Sequence, residues 1–366
     1  MTDKIKYIAT TLVCLLFFGA LSLWAILRPA DAFSDSERRA LKQFPEFTLQ
    51  TVLSGSFMEK FEGYTLDQFP MREGFRSVKA QVAKNVFLRK DNNGLYEAEG
   101  FLSKLDAPLN EKSVDRTADR FRFIYERYLK DKNVNAYVAV IPDKNAFLAK
   151  ENGYPAMDYD ALYSRIYEKA DFLKPIELRG TVGLEDFYKT DTHLSQEKLL
   201  PMASVLLDGM GGKADASYET VTLDTPFYGV YHGQSALNPK PDTLKYLTNE
   251  TLENCKVFDY QNNKEISVYE LAKAEGKDPY ELFLGGPLSL VTLENPNAQT
   301  EKELILFRDS FGSAIAPLLA EDYKKITLVD IRYLHPMLLG NFIQFESQDV
   351  LFLYSTSVLN NSETIK

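Results

Sequence analysis

Two short stretches carry residue types that could do covalent chemistry together. In the first, Ser310 sits at the turn of Arg308-Asp309-Ser310-Phe311-Gly312, after an apolar run at 304–307 and before apolar residues at helical spacing over 313–319. Strand, sharp turn, serine and helix lift a hydroxyl clear of a sheet edge and surround it with free backbone N–H groups. In the second, Asp191-Thr192-His193 places a carboxylate two residues before an imidazole. A serine hydroxyl is a weak nucleophile until a base takes its proton, and histidine is the usual base at neutral pH. A carboxylate helps that base by fixing its tautomer and stabilising the imidazolium. Residues i and i+2 of an extended segment point the same way, so Asp191 is able to engage His193. The pattern makes Ser310 a candidate nucleophile and offers His193 as a candidate base with Asp191 as a candidate orienting acid.

Each piece has a plainer reading. A serine at a strand end also serves as a helix N-cap, and an isolated Asp-x-His is often only a surface feature. Two such ligands could hold a metal, but no third His or Cys accompanies them, and no metal or cofactor is expected. The chain has three histidines in all. His232, in the aromatic stretch 227–233 with Tyr228, is a candidate groove residue, with a packed or exposed histidine as its plain alternative. His335 lies at a strand end with Arg332 and Tyr333. Arg332 and Tyr333 are candidates for stabilising negative charge, with an ion pair and a core ring as the alternative, and Arg308 is a candidate beside the nucleophile.

The elements that must position these residues read as follows. The chain of 366 residues is 45% hydrophobic and 26% charged, a composition that folds. Its net charge of −10 argues against nucleic acid as a partner. Cys14 lies in the apolar N-terminal run, which leaves Cys255 alone in the body, so an internal disulfide and a zinc–cysteine cluster are excluded there. Residues 7–27 form a run of 21 without a charge, preceded by Lys4 and Lys6 and followed by Arg28-Pro29. That length spans a bilayer as a helix, and the basic flank favours an orientation with the body outside the cytoplasm. A cleaved signal peptide is the competing reading, because Ala30-Asp31-Ala32 has the small-x-small form of a cleavage site. The expected organisation is an anchor with its flank over 1–32 and one extracytoplasmic α/β domain over 33–366, with a β-rich insertion at about 211–300.

Within that body, Ser34 to Glu37 reads as a helix start, residues 54–69 as a helix with an aromatic face, and 73–87 as another. Residues 110–132 read as a long amphipathic helix and 134–141 as a buried strand closed by Pro142-Asp143-Lys144. A helix at 158–173 follows, then one running from the Ser195 and Glu197 cap through 206. Strand pairs are expected at 218–230 and 255–269. The last hundred residues read βαβαβ, with strands at 304–307, 325–330 and 350–354 and a helix at 336–345. Both chemistry-bearing stretches fall where loops leave the strands of one sheet, the usual edge for sites in such folds.

At this point the residues resemble a known group, the DHHW and AlgX/AlgJ-like proteins, which are SGNH-hydrolase-like and act in O-acetylation of exported polysaccharides. The matching pieces are Tyr188-Lys189-Thr190-Asp191-Thr192-His193 and Arg308-Asp309-Ser310-Phe311-Gly312, with flanking matches at 69–72, 141–144, 227–229 and 330–332. Asp-x-His precedes Ser here, the permuted order of this group. Two positions depart from its pattern: Leu194 where a Trp often follows the His, and Arg308 where Gly often precedes Asp-Ser. The resemblance implies an α/β/α sandwich with a mostly parallel sheet. It also implies an acyl-enzyme on Ser310, with acetyl passed to a polysaccharide hydroxyl or to water, and the Ser310 backbone N–H among the oxyanion donors. It implies a multi-pass membrane acyltransferase as the acetyl source. The alternatives are a carbohydrate acetylesterase and a non-catalytic glycan-binding or scaffold protein.

Overall fold

The computed structural model describes residues 3–213 and 215–366. The chain divides into two units, residues 1–92 with 233–238, and residues 93–232 with 239–366.

The first unit begins with α1, Asp3–Leu27, which has no buried residue. Among the described residues it is the one helix long and apolar enough to cross a membrane. Three helices follow, α2 (Leu49–Leu53), α3 (Ser56–Asp67) and α4 (Arg72–Asn85). The aromatic face expected over 54–69 forms. The Phe44 ring lies 5.9 Å from Phe61 and 5.4 Å from Tyr64, both edge-on. Arg39 and Arg72 pair with Asp67, and Arg72 and Arg76 pair with Glu37. The hydrogen bond from Arg39 holds the Asp67 carboxyl down to about 2. The helix expected at Ser34 to Glu37 does not form. Ser34 Oγ does accept the Glu37 N–H at 3.2 Å, but Arg38 takes a left-handed φ of 52°. That reversal ends the turn and folds the chain into two two-residue strands, Phe33–Ser34 and Arg39–Ala40.

The second unit is built on an eight-stranded sheet. In chain order its strands are β1 (Asn135–Ile141), β2 (Lys174–Ile176), β3 (Lys256–Asp259), β4 (Lys264–Ile266), β5 (Leu290–Glu294), β6 (Glu303–Arg308), β7 (Lys325–Val329) and β8 (Asp349–Ser355). Across the sheet they run β4-β3-β5-β7-β6-β8-β1-β2. The five from β7 to β2 are mutually parallel, and β4, β3 and β5 extend the β7 edge antiparallel. Residues 211–300 therefore divide. The hairpin of Glu219–Phe227 with Asp242–Thr248 stands outside the sheet, and 256–294 belongs to it.

The parallel strands are apolar on both faces because helices cover both. On β1, Ala136, Val138 and Val140 enter one core while Tyr137, Ala139 and Ile141 enter the other. The first core is closed by α5 (Glu111–Ile124) and α6 (Tyr159–Lys169), with Val114, Ala118, Phe121 and Ile124 as the buried stripe of α5. The second is closed by α7 (Leu200–Gly209), through Met202, Ala203, Leu206 and Leu207. This is the expected α/β/α sandwich. Two helix expectations change locally. The helix expected from the Ser195 cap instead begins at Leu200, after a separate 3-10 turn, because Pro201 suits a first turn and no interior position. Residues 336–345 form only a 3-10 turn, Pro336–Asn341, whose buried Pro336 and Leu339 stand three apart, the eclipsed spacing of that helix. In register, Arg308 of β6 lies beside Leu353 of β8, and Ser355 lies beside Ile141 of β1. The C-terminal ends of these strands thus share one edge.

Candidate functional site

At that edge β6 ends on Arg308 and the chain turns into a short helix, α8 (Phe311–Ile315). Asp309 builds the turn. Its Oδ1 accepts the Phe311 N–H at 3.0 Å, and its Oδ2 accepts the Ser355 N–H at 2.8 Å and the Ser355 hydroxyl at 2.7 Å. A Cβ on Gly312 would stand 2.6 Å from Arg308 Cβ, so glycine is what lets the helix fold back over the strand end. The Ser310 hydroxyl makes no capping bond, contrary to the plain reading of such a serine. It lies half-buried, 2.7 Å from His193 Nε2.

The second stretch is a tight loop. Tyr188 N–H donates to His193 O at 3.1 Å, and Ser195 N–H donates to Asp186 O at 2.8 Å. Inside it, Asp191 Oδ1 lies 2.6 Å from His193 Nδ1 and accepts the His193 N–H at 3.1 Å. A carboxylate only accepts, so the ring proton resides on Nδ1, and Nε2 presents its lone pair to the Ser310 hydroxyl. Asp191 Oδ2 accepts the Val230 N–H at 2.8 Å. The Asp191 side chain is fully buried, and these bonds replace the water it gave up.

Several residues to which the sequence assigned no role in the site hold this loop. Asp242 accepts the N–H groups of Lys189 and Thr190, both at 2.7 Å, and the Thr190 hydroxyl at 2.5 Å. The Thr190 hydroxyl accepts the Gly229 N–H at 2.9 Å. Lys144, buried just past β1, donates to the carbonyls of Leu102, Tyr188 and Asp191 at 2.8, 2.6 and 2.5 Å. Burial pushes its ammonium down to about 7, against the pull of Asp191 and Asp242. Tyr280 stacks on the His193 ring, with centroids 3.8 Å apart and planes 6° from parallel. Burial holds the Tyr280 hydroxyl well above its ordinary value. Lys144 had a signal, since it closes a buried strand; Tyr280, from a distant 3-10 turn, had none.

The other candidates lie elsewhere. Arg308 is fully buried, 3.5 Å from Asp330, and donates to the carbonyls of Gly286 and Leu288, both at 3.3 Å. Arg332 binds Asp330 through two nitrogens, at 2.9 and 2.7 Å, and lies over the half-exposed Tyr333 ring. Among the described residues neither guanidinium bonds the Ser310 or His193 side chain; both pair with Asp330, and Arg308 also donates to Asp309 O at 3.4 Å. The His232 ring packs against Tyr228, and its backbone N–H donates to Thr190 O at 3.2 Å, a support for the Asp191 loop. His335 accepts the Met337 N–H and caps its 3-10 turn.

No family profile matches the chain, and no curated protein matches it. Solved structures do. A DHHW family protein from Eubacterium siraeum aligns with a TM-score of 0.61 at 21% identity, over 75% of this chain and 95% of that one. Bacillus cereus PatB1 aligns with a TM-score of 0.59 at 20% identity, over 74% and 98%. The O-acetyltransferase domain of Pseudomonas putida AlgJ aligns with a TM-score of 0.45 at 15% identity, over 73% and 92%. The chain shares the α/β fold of the first two.

Proposed function

We propose that this protein is a membrane-anchored, outward-facing O-acetyltransferase that acts on a polysaccharide through an acetyl ester on Ser310. The observation that carries the reading is the unbroken row of Asp191, His193 and Ser310, joined at 2.6 and 2.7 Å. The sequence resemblance supports acetyl as the group carried and a glycan as its acceptor. The apolar α1, with Lys4 and Lys6 in its first turns ahead of the uncharged run, supports an outward-facing body.

The chemistry follows from the bonds. As Ser310 Oγ attacks the acetyl carbonyl carbon, its proton passes to His193 Nε2, and Asp191 stabilises the imidazolium. The backbone N–H of Ser310 is free among the described residues, whereas those of Phe311, Gly312 and Ser313 are used within the turn. It donates to the oxyanion. Collapse expels the donor's leaving oxygen, which takes the proton from His193. A sugar hydroxyl then attacks the Ser310 ester, gives its proton to His193, and leaves acetylated as Ser310 regains a proton. The donor is delivered by a multi-pass membrane acyltransferase.

The full-length protein, given a chromogenic acetyl ester with and without an oligosaccharide acceptor, is expected to release chromophore faster with acceptor and to acetylate it. Release to water alone, unaffected by any acceptor, makes the protein an acetylesterase and sinks the transferase reading.

Gly229 supplies a separate test of the geometry. A Cβ there would stand 2.3 Å from Asp191 Cβ and 2.5 Å from Asp191 N and Cα. Gly229→Ala is expected to displace Asp191 and lower kcat by roughly 10²-fold, the scale of an ångström-sized misplacement, with KM for the ester little changed. Wild-type kcat in that variant counts against a role for the Asp191 position.

A further inference from the structure

The helix α4 is inside out. Its buried positions are Ala80 and Ala83, and the partly buried Arg72 and Arg76 beside them are spent on Glu37, Asp67 and Glu73. Its exposed face carries Phe75, Val78 and Val82, and the flanking Met71 and Val86 continue the same three-to-four-residue spacing. Met71, Val78 and Val86 are at least 60% exposed. Phe87 and Leu88 continue the apolar surface at 72% and 78% exposed. A soluble helix places such a stripe in a core, and a contiguous exposed one marks an interaction surface.

We infer that this face of the first unit lies on the bilayer, with Met71, Phe75, Val78, Val82 and Val86 in the interfacial layer of the leaflet from which α1 emerges. The inference rests on the reading of α1 as a membrane span. Two observations commit the surface to lipid. The first is continuity with α1. A groove of about 770 Å³ is lined by Phe17, Leu21 and Ala25 of α1 together with Phe44, Phe61 and Phe75. In a helix that spans, residues 17–26 lie in the half of the bilayer nearer its C-terminal end, so whatever fills the groove sits at the depth of acyl chains. The second is charge. The segment 72–90 carries six cations and one carboxylate, Glu73, in a chain of net charge −10, and four of the six remain once Arg72 and Arg76 are set aside as paired with Glu37, Asp67 and Glu73. Lys79, Lys84, Arg89 and Lys90 among them are exposed. Apolar stripe, aromatic residues and flanking cations are the features of a helix lying in the plane of an anionic surface. The consequence is that the first unit is held against the membrane rather than swinging on a tether.

Depth-dependent quenching tests this on the full chain. With Cys14 and Cys255 replaced by Ser, a fluorophore is attached at Val82→Cys on the stripe, at Lys84→Cys on the other side of α4, or at Leu16→Cys within α1. The protein is reconstituted into phosphatidylcholine–phosphatidylglycerol vesicles with a doxyl-labelled lipid quencher. The expected result is severalfold stronger quenching at 82 than at 84, lost when Val78→Asp is added, with strong quenching at 16 throughout. Quenching at 16 but water-like, unquenched emission at 82 leaves the span standing and overturns the inference. Blue-shifted but unquenched emission at 82 assigns the face to a second copy of the chain and overturns it equally. No quenching at 16 overturns the span and the inference together.

Discussion

Ser310→Ala is expected to lower acetyl turnover by on the order of 10⁴-fold or more, the scale on which a serine nucleophile's loss is measured. His193→Ala is expected to fall about as far, and the double variant little further, because the two act as one unit. Asp191→Asn is expected to keep the loop's shape while presenting the wrong tautomer to Ser310, for a loss of about 10⁴-fold. Stability separates chemistry from folding. The Ser310 hydroxyl is half-buried and, among the described residues, neither caps α8 nor bonds any group but His193 Nε2. Its removal is therefore expected to shift unfolding free energy by less than about 1 kcal/mol. A sulfonyl fluoride is expected to add its sulfonyl mass to the Ser310 peptide in the wild type and to leave Ser310→Ala and His193→Ala unmodified. Undiminished turnover by Ser310→Ala on the ester and the oligosaccharide alike removes the covalent mechanism.

The sequence showed the parts of this site that depend on short-range pattern. A strand, a turn and a helix within a dozen residues announced Ser310, and a two-residue spacing announced Asp191 and His193. The same was true of the sandwich, since β1, β6, β7 and β8 are apolar runs. What the pattern hid is what long-range contact decides. Nothing local to residues 256–266 shows that they extend the sheet antiparallel beyond β5, because short strands with mixed burial read like decoration. Tyr280 reaches His193 only because the sheet and its loops bring a remote 3-10 turn over the imidazole. Arg308 misled in the other direction. Its place beside the nucleophile suggested charge stabilisation, but a residue ending a buried strand points into the protein, where Asp330 and the carbonyls of Gly286, Leu288 and Asp309 take its guanidinium. Ser34 and Glu37 formed the bond that starts a helix, and one left-handed residue, Arg38, cancelled it.

Lys144→Met carries the second large effect, through position rather than contact with substrate. Three carbonyls converge on the Lys144 ammonium, and two of them, Tyr188 O and Asp191 O, belong to the loop that presents His193. The third, Leu102 O, belongs to the Phe101–Lys104 strand, whose Leu102 N–H donates to Lys189 O at 2.8 Å. Methionine keeps the length of the side chain and removes all three donors. Each orphaned buried carbonyl costs about 1–3 kcal/mol, partly offset because the variant no longer desolvates an ammonium. The loop is expected to relax, and kcat to fall by about 10²-fold with the ester KM nearly constant. The pH dependence identifies the cause. The folded group titrates at about 7 against an ordinary 10.5, so between those values the unfolded chain holds a proton that the folded chain does not. Stability therefore rises with pH across that window, by at most about 1.4 kcal/mol per unit. Activity moves the opposite way, because a neutral amine has two N–H groups for three carbonyls and the clasp loosens above pH 7. In Lys144→Met the stability slope from this group is expected to vanish and the alkaline fall in kcat to flatten. A variant with wild-type kcat, and with both pH dependences intact, leaves Lys144 no part in holding His193 against Ser310.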